Sequence, residues 1–234
     1  MWTKRPMMIF SIADLHLDTG GKPMDVFGSH WTGHFSRIAE DWRARVSPED
    51  VVLLPGDLSW AMQLHEAEIH LRQVGELPGR KILVKGNHDY WWGSISRVRA
   101  CLPDGMYALQ NDSIELSGVL FAGTRGWTIP GADAESADVR IYERELLRLK
   151  MTLGSARRRS EDARLICLMH YPPLTLGQRD TGFTRLLREY RVEQVVYGHL
   201  HGPSAAHAFQ GSWDGISYHL VSCDSLGFRL RELA

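Results

Sequence analysis

Five segments of the chain place histidine, aspartate or asparagine directly after a short apolar run. Apolar runs of this length are typical of buried strands. In an open α/β sheet, ligands bind at the carboxyl ends of the strands, so side chains from five such ends should converge on one cleft. The five segments are Asp14-Leu15-His16, Gly56-Asp57, Gly86-Asn87-His88-Asp89, His170-Tyr171-Pro172-Pro173 and Gly198-His199-Leu200-His201.

The residue types in these segments indicate a metal centre. They offer nitrogen and oxygen ligands without a thiolate, which suits Mn, Fe, Zn, Co or Ni rather than a structural zinc site built from cysteines. Seven plausible ligands are too many for one tetrahedral ion and suit two ions that share a bridging carboxylate. Asp14 and His16 are two residues apart, as are His199 and His201, and in extended backbone such pairs point the same way. The positive charge of two divalent cations would exceed the negative charge of two aspartates. The site would therefore favour an anionic substrate such as a phosphate.

Short strand-like runs alternate with segments of helical period, which predicts an α/β fold. The helical segments are 35–46, 64–74 and 139–153, residues 18–33 suggest a long ordered loop, and residues 207–230 are expected to close a sheet as antiparallel strands. The strand-like runs are Met7–Ile12, Val51–Leu54, Lys81–Val84, Val119–Ala122, Leu165–Met169, Val195–Tyr197 and His219–Ser222.

Composition narrows the class of protein. The chain has 234 residues, a formal net charge of -1, 44% hydrophobic and 24% charged residues, which predicts a soluble globular protein with one domain over residues 1–234. No apolar run approaches the roughly 20 residues of a transmembrane helix. The near-neutral charge gives no strong nucleic-acid footprint, and the oligomeric state is left open. Three widely spaced cysteines do not form a disulfide framework, which favours a reducing, cytoplasmic location.

The five segments, in this order, resemble the signature of the calcineurin-like metallophosphoesterases. The resemblance spans residues 14–201, and its most specific parts are Gly86-Asn87-His88-Asp89 and Gly198-His199-Leu200-His201. It implies a four-layer αββα sandwich with a dinuclear metal site at the carboxyl ends of the strands. It also implies two ligand sets around a bridging Asp57: Asp14, His16 and His201 for one metal, and Asn87, His170 and His199 for the other.

The same resemblance gives His88 and Asp89 catalytic roles. His88 would lie beside the metals and protonate the leaving oxygen or stabilise charge on the phosphoryl group. Asp89 would orient His88 through a hydrogen bond, as carboxylates commonly do for an imidazole. The chain departs from many relatives at Trp60, where they carry an acidic residue three positions after the bridging aspartate.

The resemblance implies a metal-dependent phosphohydrolase in which a metal-bound hydroxide attacks phosphorus in line. The two ions would be divalent Mn, Fe or Zn. The presence of His16 favours a phosphodiesterase or pyrophosphatase acting on a small nucleotide-like or lipid-linked substrate. A phosphomonoesterase or protein phosphatase is the alternative within this class, and a non-catalytic scaffold that keeps the fold for protein binding is the alternative outside it.

Three further residues are candidate substrate contacts. Trp91 could wall the cleft and stack on a ring of the substrate, although core packing is the more common role of such a residue. Arg125 could bind a phosphate oxygen through its planar guanidinium group or form a structural ion pair. Tyr171 follows His170 and either shapes that loop or contacts the substrate.

Overall fold

The computed structural model describes residues 5–18, 20–131 and 133–233, and its strands form two mixed sheets. The first sheet has the order β11-β1-β2-β3-β4. Strands β1 to β4 run parallel to one another, and β4 is at one edge of the sheet. β11 forms the other edge and pairs antiparallel with β1. The strands are β1 (Ile9–Ser11), β2 (Val51–Leu54), β3 (Arg80–Leu83), β4 (Met106–Ala108) and β11 (Arg231–Leu233).

The second sheet has the order β5-β6-β7-β8-β10-β9. Its central strands β6, β7, β8 and β10 are parallel, while β5 and β9 pair antiparallel at the two edges. The strands are β5 (Ser113–Leu116), β6 (Val119–Thr124), β7 (Leu165–Met169), β8 (Gln194–Tyr197), β9 (Gly211–Trp213) and β10 (Ile216–Leu220).

Five α-helices cover the outer faces of the two sheets. α1 (His34–Arg45), α2 (Leu64–Gly75) and α3 (Ile95–Cys101) pack on the first sheet, and α4 (Ser136–Arg159) and α5 (Gly182–Glu189) pack on the second. Three short 3-10 helices lie at Met24–Phe27, Ser29–Trp31 and Gly202–His207. Within the described ranges, no helix is both long and apolar enough to cross a membrane.

The alternation of side chains along the strands builds three apolar layers. In β2, Val52 and Leu54 pack toward the helices, while Val51 and Leu53 pack between the sheets. In β7, Cys167 packs toward α4 and α5, and Ile166 packs between the sheets. Because both faces of each sheet are covered, the central strands are continuous apolar runs, as buried parallel strands require.

The fold is therefore the predicted αββα sandwich, with two local differences. β4, β5, β11, α3 and α5 lie in segments where no element was predicted. The three strands are short edge strands, and the two helices have only seven and eight residues. The expectation for residues 207–230 is wrong in part: β9 is antiparallel, but β10 pairs parallel with β8. β10 follows β8 after a connection long enough to return the chain to the start of that strand.

Candidate metal centre

All seven candidate ligands lie just beyond the carboxyl ends of parallel strands. Asp14 and His16 follow β1, Asp57 follows β2, Asn87 follows β3, His170 follows β7, and His199 and His201 follow β8. Both sheets thus contribute to one site, and the two sheets bring together residues up to 187 positions apart, from 14 to 201. The structure confirms the convergence that the strand ends predict.

The backbone that carries these ligands is not extended, contrary to the expectation from the two-residue spacing. Asp14, His16, Asp57 and His199 have φ values of 61°, 44°, 51° and 72°. Residues other than glycine rarely adopt positive φ, and such strained positions cluster at functional sites. Tight turns, rather than period-two alternation, therefore aim these side chains into the site.

Glycines in the motifs allow the ligand loops to approach each other. A Cβ atom on Gly86 would lie 2.0 Å from Asp57 Oδ1, and one on Gly198 would lie 2.4 Å from Asp14 Oδ2. Neither distance is compatible with a side chain. The glycine that precedes Asn87 and the glycine that precedes His199 are thus required by the packing of the two aspartates.

The first ligand group consists of Asp14, His16 and His201. One nitrogen or oxygen atom of each residue lies within 4.8 Å of the others. His201 Nε2 is 3.6 Å from Asp14 Oδ1, while His201 Nδ1 is 2.9 Å from Asp224 Oδ1. Asp224 therefore holds one side of the imidazole ring and leaves Nε2 facing Asp14.

The second group consists of Asn87, His170 and His199. His170 Nδ1 donates to the carbonyl of Pro55 at 3.0 Å, which fixes the tautomer and leaves Nε2 toward the site. Asn87 Oδ1 lies 2.6 Å from His170 Nε2 and 2.9 Å from His199 Nδ1. Candidate ligand atoms from the loops that follow β3, β7 and β8 therefore lie within hydrogen-bond distance of Asn87 Oδ1.

Asp57 stands between the two groups. Its Oδ2 lies 3.9 Å from His16 Nε2 and 3.4 Å from His170 Nε2. Its Oδ1 accepts a hydrogen bond from the backbone N–H of His88 at 2.7 Å. One carboxylate oxygen therefore faces ligands of both groups, which is the placement that a bridging ligand needs.

The pKa values of the candidate ligands indicate that the metal-free site lacks positive charge. Burial, together with repulsion from Asp89 and Asp14, raises the pKa of Asp57 well above its ordinary value. Burial also opposes the charged form of His201, but the carboxylates of Asp14 and Asp224 outweigh it and raise the pKa of His201 to about 10. A proton held this tightly occupies a position that a metal cation would fill.

The remaining histidines are held neutral, as metal ligands must be. Burial lowers the pKa of His16 to about 3 and that of His199 to about 4, and it also lowers the pKa of His170. In neutral His170 the Nε2 atom is a lone-pair acceptor, yet it faces Asn87 Oδ1 and Asp57 Oδ2. Acceptors that face one another need a cation among them.

Unpartnered nitrogen atoms support the same conclusion. His16 Nδ1 and His201 Nε2 are buried and have no hydrogen-bond partner in the part of the chain that the structure describes. A buried polar atom without a partner is costly, and such atoms are explained by an ion that binds there. The donor set of imidazole, carboxylate and amide groups fits a divalent transition metal.

The structure contradicts the role predicted for Asp89. Its side chain does not contact the imidazole of His88, whose Nδ1 has no hydrogen-bond partner among the described residues. Asp89 is instead fully buried and ties the loops after β2 and β3 together by accepting five hydrogen bonds. The donors are the backbone N–H groups of Asp57, Leu58, Ser59 and Gly86, and the indole of Trp91.

His88 lies at the wall of the ligand cluster. Its ring is 5.7 Å from that of His16 and 4.5 Å from that of Trp60. Trp60 in turn stacks on His16, with ring centroids 4.7 Å apart and planes 22° apart. The residue that departs from the family signature therefore packs on a candidate metal ligand and beside the candidate catalytic histidine.

The three candidate substrate contacts occupy different surroundings. Trp91 is only 2% exposed and packs in the apolar layer under the helices, so its burial contradicts the expectation that it contacts substrate. Tyr171 is buried and packs on His199, with ring centroids 4.0 Å apart. Arg125 lies 3.6 Å from Glu145 and stacks on Trp127, in a cavity separate from the one that the metal ligands line.

Sequence reasoning missed Asp224 and undervalued Trp60. Asp224 follows β10 just as the predicted ligands follow their strands, so the same strand-end argument could have found it. Trp60 was noted only as a departure from the family pattern. Its position three residues after Asp57 was a sufficient signal that it lies at the site.

We expect the Asp224→Asn substitution to weaken metal binding about 10- to 100-fold, the usual cost of removing a partner that orients a ligand. The amide keeps the size of the side chain but removes the charge that supports His201. Competition with a chelator measures the affinity, and Asp214→Asn, an exposed position, is the matched control. An unchanged affinity would contradict the role assigned to Asp224.

Comparison with known protein families gave one match. The model of the calcineurin-like phosphoesterase family matches residues 7–203. No match was found among curated proteins.

Two solved structures are similar to this chain to different degrees. A protein of unknown function from Aquifex aeolicus, AQ665, has 17% identity and a TM-score of 0.51, with 97% of this chain and 96% of that chain covered. A purple acid phosphatase from yellow lupin (Lupinus luteus) seeds has 13% identity and a TM-score of 0.38, with 92% of this chain and 43% of that chain covered. Since the family match covers most of the chain, this protein belongs to the calcineurin-like phosphoesterases and is a metal-dependent phosphoric ester hydrolase.

Proposed function

We propose that this protein is a dinuclear-metal phosphohydrolase that cleaves a diester or pyrophosphate bond in a small substrate with an apolar or aromatic group. The observation that carries the proposal is the position of Asp57 between the two ligand groups. A carboxylate shared in this way suits two ions better than one.

The two cations would be divalent Mn, Fe or Zn. Asp14, His16 and His201 would hold one, Asn87, His170 and His199 the other, and Asp57 both. When bound, such ions activate water as a nucleophile and neutralise charge on the phosphoryl oxygens.

His88 is the side chain best placed to handle a proton. It lines the same pocket as the ligands, is half-buried and makes no side-chain hydrogen bond among the described residues through its Nδ1. Burial, reinforced by His170, lowers its pKa in the free protein. An anionic substrate beside the ring would favour the protonated form, which could then donate to the leaving oxygen.

The walls of the pocket support a substrate with an organic group. The pocket has a volume of about 470 Å³, far more than a bare phosphate ion needs. Its lining combines the histidines and Asp57 with apolar side chains, namely Met24, Phe27, Trp31 and Trp60. Phe27 is 65% exposed, so an apolar surface continues outward from the metal centre. A nucleobase or a lipid chain would bury this surface.

The charge of the pocket favours a diester over a monoester. Histidine is the only basic residue type among the described lining residues; no lysine or arginine is present there. A monoester carries close to two negative charges at neutral pH, whereas a diester carries one. Lys22 is not part of this lining, but its Nζ lies 4.9 Å from the centroid of the Trp60 ring. A pocket lining in which histidine is the only basic residue type suits the substrate with the smaller charge.

The proposal is tested by turnover of metal-reconstituted protein with paired chromogenic substrates, one a phosphodiester and one a phosphomonoester. Faster diester cleavage that disappears in Asp57→Asn is the expected result. Faster monoester cleavage would instead identify a phosphatase. Absence of turnover on both substrates together with absence of bound metal would favour a non-catalytic scaffold.

We expect Trp60→Ala to raise the KM for an aryl diester about tenfold, because the substrate loses a stacking surface worth about 1–3 kcal/mol. Trp60→Phe should restore most of the affinity. Metal content, measured in parallel, shows whether loss of the stack on His16 has disturbed the site instead. A KM unchanged in both variants would remove Trp60 from the substrate pocket.

The cellular location remains a proposal from the cysteines. Cys101, Cys167 and Cys223 are all free thiols. Free thiols of this kind fit a reducing compartment, and we propose the cytoplasm.

A further inference from the structure

A second cavity lies beside the carboxyl ends of β3 and β6, and several of its lining side chains are basic. Its volume is about 250 Å³, and since a water molecule takes about 30 Å³ in the liquid, it holds several waters or one small anion. Four of its lining side chains are cationic: Lys85, Arg125, Arg144 and Arg148.

Acidic side chains do not balance this charge. Glu145 is fully buried and lies 2.7 Å from Arg148, 3.6 Å from Arg125 and 3.7 Å from Arg144. Only the first of these distances is a hydrogen bond. One carboxylate therefore lies near three guanidinium groups, and Lys85 is a fourth basic side chain on the cavity wall, so basic groups outnumber the adjacent carboxylate.

Several hydrogen-bonding groups on the cavity wall are unused within the protein. Arg125 Nε, a donor, is buried without a partner among the described residues. Lys85 Nζ donates one bond, to the carbonyl of Trp92 at 2.9 Å, and has two protons left. Guanidinium groups present paired donors that match the oxygens of a phosphate.

We propose that this cavity is a second anion site that binds a phosphate group of a small phosphorylated compound. The phosphate could be a distant group of the substrate held at the metal centre or belong to a separate effector molecule. The inference rests on the cavity alone and holds whether or not the proposed diesterase activity is correct.

The cavity is connected to the metal centre through two loops. Lys85 directly precedes the segment that carries Asn87 and His88. The carbonyl of Arg125 accepts the backbone N–H groups of His170 at 3.1 Å and of Tyr171 at 2.9 Å. An anion that orders Lys85 and Arg125 would therefore stiffen two loops that carry metal ligands.

Calorimetric titration of the metal-loaded protein with inorganic phosphate tests the proposal. We expect two binding events in the wild type, of which Asp57→Asn removes the one at the metal centre. Arg144→Gln should weaken the other at least tenfold, because it removes one charged donor from the cavity. The side chain of Arg144 is 51% exposed, so its loss leaves the core intact.

Two further variants make the result decisive. Lys85→Gln should weaken the same event, while Arg140→Gln, an exposed position on the same helix as Arg144, should leave both events unchanged. The proposal is overturned if both cavity variants bind phosphate as the wild type does, or if Asp57→Asn abolishes all phosphate binding. If the wild type shows only the binding event at the cavity, the result contradicts the proposed metal centre but leaves the cavity proposal standing.

Kinetics then identify the source of the phosphate. If the cavity holds part of the substrate, Arg144→Gln raises the KM about tenfold only for substrates that carry a second phosphate group. If it holds a separate effector, KM is unchanged, and added phosphate has an effect on wild-type turnover beyond the competition at the metal centre that the wild type and Arg144→Gln share. An effect of phosphate that is equal in both proteins would contradict the effector form.

Discussion

Replacing Asp57 with asparagine is expected to lower kcat by more than about 100-fold, beyond the usual effect of losing an outer-sphere partner. The amide retains an oxygen that can accept the backbone N–H of His88, so the loop keeps its shape. It lacks the charge and the second oxygen that would serve both ligand groups. Metal analysis should show fewer than two ions per chain, and Asp104→Asn, an exposed position, is the control.

The same substitution should have the opposite effect on the stability of the metal-free protein. Burial and the nearby Asp89 and Asp14 raise the pKa of Asp57, so its charged form destabilises the fold. Metal-free Asp57→Asn should therefore melt above metal-free wild type, by about 2–4 °C for each kcal/mol of repulsion removed. Added metal should reverse this order.

The pH dependence of that difference has a definite sign. The folded pKa of Asp57 lies above its unfolded value, so the folded state holds the proton more tightly. The contribution of this group to stability is then lost as the pH rises through the folded pKa. The melting temperatures of variant and wild type should converge in acid and separate as the pH rises, and a constant difference would mean that Asp57 is not the source.

The convergence of the candidate ligands could be predicted because it depends on a simple property of parallel strands. Val51–Leu54 and Leu165–Met169 are strands in the structure with the same limits as the apolar runs. Each is buried on both faces, so the first polar residues after it fall at the edge of the sheet. Asp57 and His170 meet there although they are 113 positions apart.

The direction of individual side chains could not be predicted from the sequence. Asp89 follows His88 in the chain, but the turn sends its carboxylate into the protein, where five N–H groups bind it. Trp91 is also buried, and its indole N–H donates a hydrogen bond to the Asp89 carboxylate at 3.0 Å. Such directions depend on local backbone angles that neither period nor composition encodes.

A position just after a strand likewise does not determine which cavity a side chain enters. Arg125 follows β6 at the expected end of the second sheet, yet its guanidinium group turns to Glu145 on α4. α4 is the helix whose period was most evident in the sequence. Its charged residues Arg144 and Arg148 line the basic cavity, a role that the helical period does not predict.

The second large effect is expected for His88→Asn, which should lower kcat about 10²- to 10⁴-fold, the range for loss of a general acid. The side chain is not among the candidate metal ligands, and its backbone N–H, which binds Asp57, is unchanged by the substitution. Metal content should therefore equal that of the wild type. This separates His88 from Asp57, whose substitution removes metal and activity together.

The pH profile distinguishes proton donation from mere packing on Trp60. A donor is active in its protonated form, and burial lowers the pKa of His88 in the free protein. Wild-type kcat/KM should consequently fall as the pH rises through that lowered pKa, and the fall should be absent in His88→Asn. His65→Asn, an exposed histidine on α2, should keep the wild-type profile. If His88→Asn lowers kcat but retains the same dependence on pH, then His88 stabilises charge or shapes the pocket, and the proton reaches the leaving oxygen from water.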